Sequence, residues 1–162
     1  MQRIDFRVVT AEVGTGAVVD TVMPIVGGEP LTELLRRIEL PSAAADGQPN
    51  LAGEYIGLYG EDVCWPSQHL LGAPVLSVFD EGETPLLGCV CGEWSCWPFT
   101  AQVEVRSDVV VWSDYRHGFR AWDYSDLRDL VFDRQEYEDA LRGTAHGAGG
   151  GGAYRSGGRW RR

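Results

Sequence analysis

The heptad Gly-Glu-x-x-Cys-Trp-Pro occurs twice in this chain, as Gly60-Glu61-Asp62-Val63-Cys64-Trp65-Pro66 and as Gly92-Glu93-Trp94-Ser95-Cys96-Trp97-Pro98. Each copy opens on a turn-forming glycine and closes on a proline that drives the preceding Trp toward extended backbone. Both copies are therefore expected to be bends between regular elements. Cys64 lies in the first copy, Cys96 in the second, and Cys89 and Cys91 just upstream of the second. The echo predicts that the two bends meet and gather all four thiols.

Periodicity supplies the elements around these bends. Ile4, Phe6 and Val8 alternate with Asp5 and Arg7. With Gly14 and Gly16 before the apolar run Ala17 to Val26, this reads as a hairpin. Pro30 suits a first helical turn, and Leu31, Leu34, Leu35 and Ile38 follow at helical spacing until Pro41, which is expected to end the helix. Ser42 to Gly53 reads as a loop, Val75 to Phe79 and Leu86 to Cys91 as short strands, and Phe99 to Val105 with Val109 to Trp112 as a hairpin. If Cys89 and Cys91 share a strand, their side chains project from one face. Asp133, with Glu136 three positions on and Phe132 against Tyr137, gives a capped start to a last helix that Gly143 stops. The fold class predicted is α+β: a mainly antiparallel sheet with two helices, a single domain over residues 1–143, and a disordered Gly/Arg-rich tail over 144–162.

Composition removes several chemistries. All 14 basic side chains are Arg, so Schiff-base, pyridoxal phosphate and ordinary phosphate-loop chemistry lack their lysine. Three His, with neither a zinc-protease pair nor a Gly-x-Ser-x-Gly elbow, disfavour the common hydrolases. The 24 carboxylates all lie at or before Asp139, whereas Arg155, Arg159, Arg161 and Arg162 lie in the tail. The body up to Arg142 thus carries a net charge of −14, which favours a partner with a basic face over nucleic acid or an anionic membrane. No secretory signal or long apolar run is evident, and a cytoplasmic location with reduced cysteines is expected.

The stretch Leu86-Leu87-Gly88-Cys89-Val90-Cys91-Gly92-Glu93-Trp94-Ser95-Cys96-Trp97-Pro98, with Trp112-Ser113-Asp114 and Phe132 to Tyr137 downstream, resembles an uncharacterised family of small proteins of high-GC bacteria. The resemblance spans roughly residues 30 to 141. That family has no established activity, so the likeness implies no chemistry. Its pattern has Pro-His-Arg where this chain has Gly118-Phe119-Arg120, with His117 displaced upstream.

Three readings of the cysteines follow. They are buried core lining, or ligands of a zinc ion through Cys64, Cys89, Cys91 and Cys96, or they include a nucleophile. In the zinc reading His69 and His117 compete with Cys64 for the fourth position, and the Cys-x-Cys-x4-Cys spacing is looser than in ordinary zinc ribbons. In the nucleophile reading Cys96 is the candidate and His117 the only base, with Glu93 working against a lowered thiol pKa. The segment Asp114 to Tyr124 is dense in aromatics and Arg and reads as a long ordered loop. Tyr115, Arg116, His117, Phe119, Arg120 and Trp122 are its candidate partner-binding residues. The preferred function is a small acidic protein-binding or accessory module that requires no cofactor, analogous in size and charge to bacterial toxin-neutralising proteins. The alternatives are a zinc-binding domain and a cysteine-dependent enzyme.

Overall fold

The computed structural model describes residues 1–145; the remainder of the Gly/Arg-rich tail lies outside the described residues. Strands β1 (Ile4–Glu12) and β2 (Val18–Val26) form the expected hairpin, paired from Ile4↔Val26 to Glu12↔Val18. A two-residue strand, β3 (Glu29–Pro30), turns back on β2 and feeds α1 (Leu31–Ala45). Strands β4 (Ile56–Tyr59), β5 (Thr84–Gly88), β6 (Phe99–Val105), β7 (Val109–His117) and β8 (Leu130–Asp133) follow, and α2 (Arg134–Arg142) closes the order. The main path is β1-β2-β4-β5-β6-β7-β8, antiparallel at every step. The sheet curls until its first and last strands approach, and the Gln2 N–H donates to the Val131 carbonyl at 2.7 Å. The result is an α+β fold made mostly of sheet.

Helix α2 covers the seam where the sheet curls round. Its start follows the capping logic of the sequence: the Asp133 carboxylate accepts the Glu136 N–H at 2.9 Å, and the Phe132 and Tyr137 rings pack 5.6 Å apart. Tyr137 reaches through to the core. Its hydroxyl donates to the Leu70 carbonyl at 2.7 Å and accepts the Trp112 indole N–H at 3.1 Å, so this buried phenol has both partners it needs. It belongs to one core cluster with the fully buried Leu31, Leu35, Leu58, Leu86, Leu87, Phe99, Trp112 and Phe132. Each such side chain contributes about 1.5–3 kcal/mol on leaving water.

Four sequence expectations change. Pro41 does not end α1, which continues to Ala45. The three alanines at 43–45 are strong helix formers and Ala43 is fully buried, so packing offsets a proline cost of about 3 kcal/mol. That extension takes up the start of the expected Ser42–Gly53 loop. Val75 to Phe79 forms no strand because side chains take its backbone donors: His69 accepts from Val75 N–H at 3.1 Å, and Glu83 accepts from Phe79 N–H at 2.7 Å. Strand β5 stops at Gly88, leaving Cys89 and Cys91 beyond it. The expected loop at 114–124 begins as strand, since β7 runs to His117 past a bulge at Asp114, whose φ is +49°.

Candidate metal centre

Where β5 ends, the chain makes two tight reversals before β6. The Gly92 N–H donates to the Cys89 carbonyl at 2.9 Å, and the Cys96 N–H to the Glu93 carbonyl at 3.2 Å. Gly92 has φ +98°, a left-handed conformation that few other residues adopt without strain; Gly60, opening the first heptad copy, matches it at +103°. These reversals bring the sulfurs of Cys89, Cys91 and Cys96 within 4.8 Å of one another. Two backbone donors point at the cluster: Cys91 N–H to Cys89 Sγ at 3.4 Å and Glu93 N–H to Cys91 Sγ at 3.5 Å. The turn thereby stabilises negative charge on sulfur.

Other elements clamp this turn. The Tyr59 hydroxyl of β4 donates to the Gly92 carbonyl at 2.9 Å. The tip of the β1–β2 hairpin sits on the other side, so close that a Cβ on Gly14 would lie 3.3 Å from Cys91 Cα, and one on Gly92 would lie 3.3 Å from Val13. Cys91 and Cys96 are exposed and Cys89 is half-buried. Burial pushes the Cys89 thiol up to about 12 and also raises Cys96. Cys91 feels burial too, but hydrogen bonds from the Glu93 N–H and the two neighbouring thiols bring it below its usual value. Of the three, Cys91 is the thiol whose surroundings favour the thiolate.

Cys64 is not a member of this group. It is buried in the hydrophobic core, in a bend that differs from its echo because Trp65–Pro66 is cis, the one cis bond among the described residues. Neither histidine replaces it. His69 is fully buried, with Nδ1 accepting the Val75 N–H and Nε2 donating to the Pro85 carbonyl at 2.8 Å, so both ring nitrogens are used. Burial lowers its pKa to about 4, which keeps it neutral. His117 is buried against Trp97, ring centroids 3.9 Å apart, and its Nδ1 accepts the Phe119 N–H at 3.3 Å. Burial, with Arg120 nearby, lowers it to about 4 as well. Its Nε2 is buried with no hydrogen-bond partner among the described residues, so His117 makes no hydrogen bond to the Cys96 thiol of the kind the nucleophile reading requires.

The candidate partner segment is pinned to α1. The Arg120 guanidinium meets Asp46 at 3.1 Å, the Trp122 indole N–H donates to the same Asp46 at 2.8 Å, and the Tyr124 hydroxyl donates to Glu39 at 2.8 Å. Arg116 lies over the Phe79 ring at 3.6 Å and pairs with Glu81 at 3.4 Å. Trp122 and His117 are buried, Tyr115 and Arg120 half-buried, and Arg116 and Phe119 exposed. Together the residues from Tyr115 to Trp122, with Tyr124, line a cavity of about 370 Å³. Sequence reasoning missed Glu39, a fully buried carboxylate that accepts from the Gly53 N–H at 2.8 Å, the Tyr55 hydroxyl at 2.5 Å and Tyr124. The signal was its place on the stripe Leu31, Leu35, Glu39, Ala43, all at four-residue spacing.

Among the described residues no helix is long and apolar enough to cross a membrane. No family model matches the chain, and neither a curated protein nor a solved structure matches it.

Proposed function

We propose that this protein is a metal-binding domain that holds one thiophilic ion, zinc in the first instance, through Cys89, Cys91 and Cys96. The convergence of three sulfurs within 4.8 Å carries the reading. Tetrahedral zinc takes Zn–S bonds of about 2.3 Å, which sets sulfurs about 3.8 Å apart, so the sulfurs need draw in by no more than about 1 Å. The two N–H donors aimed at sulfur supply the surrounding shell that thiolate ligands need. Three ligands leave the fourth position to water or an outside donor, an arrangement in which the ion remains open to exchange.

The test is native mass spectrometry of reduced protein incubated with zinc. One zinc per chain is expected. Cys91→Ser and Cys96→Ser should each weaken binding at least tenfold, whereas Cys64→Ser should bind as the parent does. Equal zinc uptake by all three variants, or none by the parent, would overturn the assignment.

A second reading, the protein-binding module, is favoured by one observation: Phe119 is 64% exposed at the tip of a segment otherwise fastened to the body. An exposed aromatic on a rigid support is a common anchor of interfaces, and the acidic body suits a basic partner. Under this reading, Phe119→Asp removes a partner that the parent protein captures in a pull-down. Equal recovery by both would refute it.

A further inference from the structure

We infer that Cys91 and Cys96 form an oxidant-accessible dithiol, a modification site that peroxide converts to a disulfide while Cys89 stays reduced. The inference concerns the same three sulfurs as the proposed metal site but rests on their geometry and exposure, not on metal occupancy. Of the three converging thiols, Cys91 and Cys96 are exposed and Cys89 is half-buried at the end of β5. A Cys89–Cys91 bridge would enclose the single residue Val90, in a turn already fixed by the Gly92 N–H to Cys89 carbonyl bond at 2.9 Å. So short a ring departs from relaxed disulfide geometry. Cys91 and Cys96 are separated by four residues, a ring large enough to close without that constraint, and their sulfurs already lie within 4.8 Å of one another.

The chemistry balances with hydrogen peroxide as oxidant. One thiolate of the pair attacks a peroxide oxygen, the O–O bond breaks, and a sulfenic acid forms with loss of water. The second thiol then attacks the sulfenic sulfur, the S–O bond breaks and a second water leaves. The dithiol gives up two electrons, and the peroxide is reduced to two waters. A chain so modified keeps only one of the three zinc ligands, so oxidation empties the site.

Metal-free, reduced full-length protein treated with stoichiometric hydrogen peroxide provides the test, read by intact mass and peptide mapping. The chain should lose the mass of two hydrogens, and the mapped bridge should join Cys91 to Cys96. Cys89→Ser should form the same bridge, whereas Cys91→Ser and Cys96→Ser should form none at matched peroxide. A bridge that includes Cys89 or Cys64, or oxygen addition to single cysteines in the parent protein, would overturn the inference. In a second arm zinc-loaded protein is oxidised, and zinc should be lost from the bridged fraction. A bridge that forms in protein unable to take zinc would sink the metal reading alone; zinc uptake without the bridge would sink only this one.

Discussion

Replacing Glu39 by Ala should cost about 3–5 kcal/mol of stability. The carboxylate serves three donors at once: Gly53 N–H, Tyr55 hydroxyl and Tyr124 hydroxyl. Each buried donor left without an acceptor costs about 1–3 kcal/mol. The sum is tempered because Tyr124 is only half-buried and can recover a water. For a chain of this length a loss of that size lowers the melting temperature by roughly 10 °C. An unchanged midpoint in chemical or thermal denaturation would show that the network contributes nothing.

Glu39 also sets a pH dependence of definite sign. Burial raises its pKa above 4.5, against the pull of Gly53, Tyr55 and Tyr124, so the folded state holds this proton more tightly than the unfolded chain does. The associated stability is fully present below the unfolded value and is lost as pH rises through the folded one. Glu39→Gln keeps an acceptor but cannot ionise, so the parent should lose stability relative to it as pH rises above 4.5. Parallel stability curves for the two proteins would contradict the raised value.

Gly57→Ala is the second large effect, through a collision rather than a lost partner. A Cβ at Gly57 would lie 2.5 Å from the Val22 carbonyl oxygen and 2.8 Å from its carbon, and backbone atoms of β2 cannot swing away as a side chain would. Strand β4 joins the two halves of the sheet by short pairings only, Thr21↔Tyr59 and Val22↔Leu58 on one side and Ile56↔Gly88 and Gly57↔Leu87 on the other. Opening one side breaks the sheet between β2 and β4 and leaves the first hairpin held only by its other packing, such as Phe6 against Tyr137 and the Gln2 N–H to Val131 carbonyl bond. A loss of about 3 kcal/mol or more is expected, at the upper end of overpacking effects. Folding to the parent's midpoint would show that the joint can relax.

The sequence made the regular elements readable where one period dominated. The β6–β7 hairpin and the start of α2 follow from strict alternation and from the Asp133-to-Glu136 spacing, because local chemistry alone decides them. Pro41 misleads since the cost it imposes is local, whereas the burial of Ala43 that offsets it is tertiary. The thiol cluster was half legible. Cys89, Cys91 and Cys96 converge as their spacing suggests, but by two successive turns and not by a shared strand face. Cys64 does not join them, because matching residue types in two bends do not fix matching backbone paths: the core took this thiol, and a cis bond follows its Trp. Arg116 and Arg120 in the candidate loop find acidic partners at Glu81 and Asp46, and no sequence pattern names those residues across gaps of 35 and 74 positions.

The contact between the first hairpin's tip and the sulfur turn has a mechanical consequence. Val13 and Gly14 press on Gly92 and Cys91, residues almost eighty positions later in the chain. An ion or a covalent bridge that stiffens the sulfur turn therefore stiffens the seat of the arm formed by the outer halves of β1 and β2. Among the described residues, that arm has no strand partner beyond its own pairing past Thr21. Slower amide exchange from Val8 to Val18 would carry the chemical state of the thiols to a surface far from them in sequence.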